Sequence, residues 1–108
     1  MKVLLDENIP KKLKYRLSSF DVTTVSERGW NGKKNGQLLA LMLIEGIDIL
    51  LTVDKNLAYQ QNFDKYPITV IVADTKDNSY ESLMAFLPQI KELLITDALP
   101  KGILVINK

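Results

Sequence analysis

The sequence predicts an α/β fold, a small three-layer α/β/α sandwich around a mainly parallel five-stranded sheet. Three observations predict it. Five short runs rich in apolar and β-branched residues alternate with segments of helical spacing along the 108 residues. The runs at 2–5, 48–53 and 68–73 are nearly continuous in apolar character, which marks strands covered on both faces. Apolar residues make up 46% of the chain and charged residues 25%, the balance of one globular domain over 1–108. Right-handed crossovers then favour a doubly wound sandwich, and an order of 2-1-3-4-5 would make the first and third strands neighbours.

Each element follows from its residues. Lys2-Val3-Leu4-Leu5 reads as a buried strand that stops at the polar edge Asp6-Glu7-Asn8. Pro10 suits a helix start, and Leu13 and Leu17 stand i,i+4 on one face, so a helix is expected over 10–19, capped by Asn8. The Val- and Thr-rich stretch 22–25 is the second strand. Residues 26–36 hold three glycines and two asparagines and form a loop. A second helix is expected over 35–45, with Gly46 as its left-handed cap. The third strand, 48–53, precedes Asp54 and a short helix over 56–61. After Pro67 comes a strand over 68–73, then a helix over 80–94 that Pro88 should kink or interrupt. Pro100 and Gly102 introduce the last strand, 103–106. In the 80–94 segment, Leu83, Phe86, Leu87, Ile90, Leu93 and Leu94 recur at helical spacing and are expected in the core.

Two absences narrow the chemistry. With no Cys and no His, the chain has no disulfide, thiolate nucleophile, imidazole base or zinc–thiolate site. Catalysis would rest on carboxylates, amides, hydroxyls, Lys or Arg, and any metal would be a hard, oxygen-ligated cation. The longest apolar run, 38–44, is far shorter than a membrane span. Met1 leads straight into the first strand without a secretory apolar region, so a cytoplasmic protein with no membrane association is expected. The net charge is +1, but residues 1–34 carry eight Lys/Arg against four Asp/Glu. Lys11, Lys12, Lys14 and Arg16 fall together, either as a solvated helix face or as a phosphate-binding patch.

In doubly wound sheets ligands sit beyond the carboxyl ends of the strands, where the winding reverses. The first and third strands would be neighbours there and end at Asp6 and Asp54, one strand spacing apart, about 5 Å. Two carboxylates that close repel unless a cation, a shared proton or solvation relieves them. Mg2+ or Mn2+ would suit such a site and could activate water against a phosphodiester. The plainer reading is that Asp54 caps the helix that follows it.

The segments Leu4-Leu5-Asp6-Glu7-Asn8-Ile9-Pro10 and Leu50-Leu51-Thr52-Val53-Asp54-Lys55-Asn56-Leu57 resemble the compact PIN-like proteins, as does the stretch from Trp30 through Gly36. The resemblance covers about residues 1–73. It implies a PIN-type fold related to metal-dependent ribonucleases, often the toxins of toxin–antitoxin pairs neutralised by a small DNA-binding antitoxin. It also implies that Asp6 and Asp54 bind Mg2+ or Mn2+, with Glu7 as the acid beside the first. Asn35 and Asn56 stand where many relatives carry aspartate, so each position supplies an amide oxygen in place of a charge. Single-stranded RNA would be the substrate, gripped by Lys11, Lys12, Lys33 and Lys34, the last two being otherwise loop solubilisers, and oligomeric state is left open.

Three functions follow as expectations. The first is a PIN-type endoribonuclease with Asp6, Asp54 and Glu7 as catalytic residues and Asp6, Asp54, Asn35 and Asn56 around the metal. The second is a degenerate PIN-like module that binds a partner protein or RNA without cleaving it. The third is a receiver-like signalling domain, for which Thr75 and Lys108 are poorly placed. Trp30 either stacks on an RNA base or tucks its ring against the domain, the second being the expectation. Tyr59, Gln60 and Gln61 are expected to finish a short helix.

Overall fold

The computed structural model describes residues 1–56, 66–96 and 99–107, with the side chain of Asn35 outside the description. In chain order its elements are β1 (Lys2–Leu5), α1 (Leu13–Arg16), β2 (Asp21–Thr24), α2 (Asn35–Glu45), β3 (Ile49–Thr52), β4 (Thr69–Ala73), α3 (Tyr80–Met84), α4 (Leu87–Leu94) and β5 (Gly102–Ile106). The five strands form one sheet of order β2-β1-β3-β4-β5 in which every pair is parallel.

Successive side chains of a strand point to opposite faces, and here both faces are apolar. Val3, Leu5, Ile49, Leu51, Ile71 and Ala73 pack toward α1, α3 and α4 through Leu13, Leu17, Leu83, Phe86, Ile90 and Leu94. Leu4, Leu50, Val70 and Val72 face the other way, onto Leu38, Leu39 and Met42 of α2. The result is the expected α/β/α sandwich. The helical-spacing residues of the 80–94 segment are core as expected, with Leu93 partly buried against the rest.

Several element boundaries differ from expectation for identifiable reasons. The first helix is four residues long rather than ten, with hydrogen-bonded turns on either side, and Lys12 rather than Asn8 precedes it. Asn8 does not cap it because its side-chain amide is turned to Thr52 instead. The 80–94 segment is interrupted, as expected of Pro88, into two helices broken at Ala85 and Phe86. Pro88 explains the break: a continuous helix would set its ring against the carbonyl of Met84 and forfeit that hydrogen bond. The chain tightens instead, with Phe86 N–H donating to the Leu83 carbonyl (3.0 Å), and Pro88 falls in the first turn of α4, where no amide donor is needed. α2 has the expected bounds, and Gly46 adopts φ +70° as its left-handed cap. The helix expected over 56–61, and Tyr59, Gln60 and Gln61 with it, lies almost wholly outside the described residues. No helix among the described residues is long and apolar enough to cross a membrane.

Phe86 fills the angle between α3 and α4 and is 2% exposed. Phe86→Ala is expected to cost about 3–5 kcal/mol, read as a lower urea midpoint with unchanged m. A loss below about 1 kcal/mol would mean that this face of the sheet is not packed as described.

Candidate functional site

The site is built at the carboxyl rim by the register of β1 against β3. Leu5 pairs with Leu51, and the Asp6 N–H continues the ladder to the Leu51 carbonyl at 3.0 Å. Residue 52 therefore stands across from residue 6. The expectation that Asp6 and Asp54 face each other at one strand spacing is corrected: Thr52 holds that place, and Asp54 lies two residues beyond it.

Thr52 is fully buried and its hydroxyl is saturated. It donates to Asp6 Oδ2 (2.7 Å) and accepts from the Asp54 N–H (3.1 Å) and from Asn8 Nδ2 (3.4 Å). One donor and two acceptor positions are all a hydroxyl has. Asp6 Oδ1 accepts the Glu7 N–H at 2.9 Å. Asp54 Oδ1 accepts the Asn56 N–H at 2.9 Å, the bond an aspartate makes when it opens a helical turn. Asn8 Oδ1 is buried with no hydrogen-bond partner, an orphaned acceptor at the centre of the cluster.

Burial raises the pKa of Asp6 most. The Thr52 hydroxyl and the Glu7 amide pull the other way by bonding the charged form, and the negative charges of Glu7 and Asp54 push it up further. The two strand-end acids and Glu7 are thus close enough to feel one another, although a threonine separates the aspartates along the sheet.

The remaining expected site residues fall on loops around this rim. Glu7 is exposed, and its Oε2 accepts the Gly32 N–H at 3.3 Å, tying the β1–α1 loop to the loop that carries Lys33 and Lys34. Both lysines are exposed at the start of α2, and the Lys34 N–H donates to Gln37 Oε1 at 3.2 Å. Asn35 is the first residue of α2, and where its amide points lies outside the description. Asn56 is exposed, joined to Asp54 through its backbone. Lys11 and Lys12 are exposed on the segment leading from Asp6 into α1. Trp30 is tucked as expected: its half-buried ring packs on the α2 side of the core, with the Arg28 guanidinium 5.6 Å from its centre.

Three residues of the rim escaped the sequence reading: Thr52, Asn8 as a hydrogen-bonding member of the cluster, and Asn78. Asn78 Nδ2 donates to the Asn8 carbonyl at 2.9 Å, fastening the β4–α3 loop to the β1–α1 loop. Thr52 had a signal, a lone hydroxyl closing an otherwise apolar strand. Beside the cluster, Lys55 pairs with Asp74 at 2.5 Å, and Asp74 and Asp77 line a recess of about 350 Å³ after β4.

The donor set is all oxygen, which fits a hard divalent cation. Asp6, Asp54 and the orphaned Asn8 oxygen are the atoms available to it. Among the described residues no three acidic side chains form a metal-holding group, so water would fill the other places on such an ion. Compared with family models, curated proteins and solved structures, the chain matches none.

Asp6 takes up its proton at higher pH in the folded chain than in the unfolded one. In that window the folded chain holds the extra proton, so this carboxyl's contribution to stability falls as pH rises through it. Thr52→Val removes the bond that favours the charged form, so it should raise the Asp6 pKa and extend the window upward. It also leaves the Asn8 amide and the Asp54 N–H without their acceptor, for an expected loss of about 1–3 kcal/mol. Carboxyl 13C titration and urea unfolding measure the two effects, and an unmoved Asp6 pKa would mean that the Thr52–Asp6 bond does not exist in solution.

Proposed function

We propose that this chain is a PIN-like protein that acts as a metal-dependent endoribonuclease on single-stranded RNA. The observation that carries the proposal is Asp6, partly buried at the switch between β1 and β3, its pKa raised by burial and by the charges of Glu7 and Asp54. A partly desolvated carboxylate with two further acids near it, at the carboxyl rim of a doubly wound sheet, is a costly arrangement that a cation would relieve. The resemblance of 4–10 and 50–57 to the PIN-like proteins adds the reaction class.

In this reading Asp6 and Asp54 hold Mg2+ or Mn2+, and Asn8 offers its free oxygen. The ion, when bound, would supply an activated water and neutralise charge developing on the phosphodiester. Thr52 fixes the Asp6 carboxylate so that its remaining lone pairs are aimed without further ordering. Glu7, Asn35 and Asn56 orient water around the ion. Lys33 and Lys34 hold phosphate on the α2 side of the rim, and Lys11 and Lys12 on the α1 side. The same resemblance makes a toxin role, with a small DNA-binding antitoxin as partner, part of the proposal.

One observation favours a second reading, a PIN-like module that binds RNA or a partner protein without cleaving. Both Asp6 oxygens and one Asp54 oxygen already accept hydrogen bonds, and Asn35 and Asn56 contribute no charge.

Two measurements separate the readings. Mn2+ at ten times its Kd should stabilise the folded chain by about 1.4 kcal/mol, a Tm rise of roughly 6–11 °C, and Asp54→Asn should abolish the rise. Asn35→Asp with Asn56→Asp should strengthen ion binding, lower the metal-free Tm and increase Mn2+-dependent cleavage of single-stranded RNA. Tighter metal binding without cleavage favours the non-cleaving module. Cleavage that persists in EDTA or in Asp54→Asn is not this protein's.

A further inference from the structure

Three cations with no acidic partner among the described residues crowd one short segment. Among the described residues the ion pairs are Lys14–Glu27 (2.7 Å), Arg28–Glu45 (3.6 Å) and Lys55–Asp74 (2.5 Å). Lys11, Lys12 and Arg16 are left without a carboxylate, within six residues of one another. Like charges that close destabilise a helical segment unless something offsets them. Tyr80 does so without neutralising them. Its ring lies 6.0 Å from Lys12 Nζ, and its hydroxyl accepts a hydrogen bond from Arg16 Nε at 2.7 Å. The patch therefore keeps its full charge and presents it to solvent.

Tyr15 stands among these cations and is 79% exposed, the most exposed large apolar side chain among the described residues. The helix forces it there: Leu13 and Leu17 take the inner face into the core, and residue 15 is turned outward between them. Its ring forms a wall of a shallow cleft of about 210 Å³ that Lys11, Lys14, Thr24 and Glu27 complete. That space equals roughly seven water volumes, room for one planar ring. An aromatic face bordered by cations is the combination that grips a single strand, in which bases stack and phosphates pair with Lys and Arg. A protein partner would want apolar neighbours around the ring, and here the neighbours are charged. A duplex would keep its bases stacked on each other and offer the ring no face.

We infer that Lys11, Lys12, Tyr15 and Arg16 form a docking surface for single-stranded nucleic acid, with Tyr15 stacking on one base and the three cations holding the flanking phosphates. The surface adjoins the acidic rim. Lys11 and Lys12 follow Asp6 by five and six residues, and Asn78 and Tyr80 fasten the β4–α3 segment to the β1–α1 segment. A strand lying on Tyr15 would continue over Lys12 toward Asp6. The inference deepens the ribonuclease reading and rests on it only for what happens to the strand at the rim. It also moves base stacking from Trp30, whose ring is committed to the core side of its loop, to Tyr15.

The test is fluorescence anisotropy of the full chain with a labelled single-stranded RNA oligonucleotide in EDTA, where metal-dependent cleavage is off. The single strand should bind more tightly than a duplex of equal length. Tyr15→Ala should weaken binding roughly five- to 150-fold, while Tyr15→Phe, which keeps the ring, retains most of the affinity. Lys12→Ala with Arg16→Ala should flatten the salt dependence of log K by about 1.4, twice the increment for one phosphate on a single strand. Tyr15 is outside the core, so circular dichroism and Tm should be unchanged in both Tyr15 variants; Lys12→Ala with Arg16→Ala loses the two Tyr80 contacts, and its circular dichroism should show the fold retained. Equal affinity of Tyr15→Ala and the parent, a duplex bound as tightly as the single strand, or a polyglutamate peptide bound more tightly than RNA would each overturn the inference. Binding in EDTA without Mn2+-dependent cleavage would overturn the ribonuclease reading alone, and cleavage without this binding would overturn the inference alone.

Discussion

In an all-parallel sheet every strand delivers its carboxyl end to the same rim, and the register between neighbours decides which side chains meet there. With Leu5 opposite Leu51, Thr52 comes to face Asp6, and the hydroxyl becomes the hub that the rest of the cluster bonds to. A slip of one residue in either strand would turn its leucine, Leu5 or Leu51, from the α1, α3 and α4 side to the α2 side and carry Thr52 away from Asp6. Burial on both faces forbids that slip. The hydrophobic core and the polar cluster are thus specified by the same pairing.

The cluster holds opposing tendencies in balance. Burial disfavours a charged Asp6, and so do Glu7 and Asp54, while the Thr52 hydroxyl and the Glu7 amide favour it. The hydroxyl also satisfies the Asn8 amide and the Asp54 N–H, so one side chain positions two others and a backbone amide. Around it the loops are stitched to each other: Glu7 to Gly32, Asn78 to the Asn8 carbonyl, and Lys55 to Asp74. Loops after β1, β2, β3 and β4 are all joined in this way, which holds the rim in a defined shape although the cluster has few apolar contacts.

Charge is distributed unevenly about that rim. Among the described residues acidic groups occupy the centre, between β1 and β3, and cations without an acidic partner lie on both sides, Lys11, Lys12 and Arg16 by α1 and Lys33 and Lys34 by α2. The α1 flank is kept charged because an aromatic side chain, and not a carboxylate, holds Lys12 and Arg16. Trp30 and Tyr15 show how context assigns roles to similar residues. The tryptophan packs toward the core with Arg28 on its face, whereas the tyrosine, on the outer side of a helix that buries its neighbours, is left to solvent.

By itself the sequence determined the layer architecture and the composition of the core, because period-2 and helical spacing of apolar residues decide which faces must be buried, whereas the strand order was settled only by the folded sheet. It also marked α2 and its Gly46 cap, and Asp6 and Asp54 as strand-end acids, because strands stop where polar residues begin. The tertiary structure decided what pattern leaves open. Register put Thr52 across from Asp6, a pairing set by both strands together and by neither alone. The interruption that Pro88 imposes on the last helical segment was placed upstream of it, at the carbonyl its ring would have struck. Asn8 was drawn from helix capping to the buried hydroxyl, and Tyr80 was brought from distant sequence to Lys12 and Arg16. Contacts of that kind depend on how the layers dock, and spacing along one segment carries no information about them.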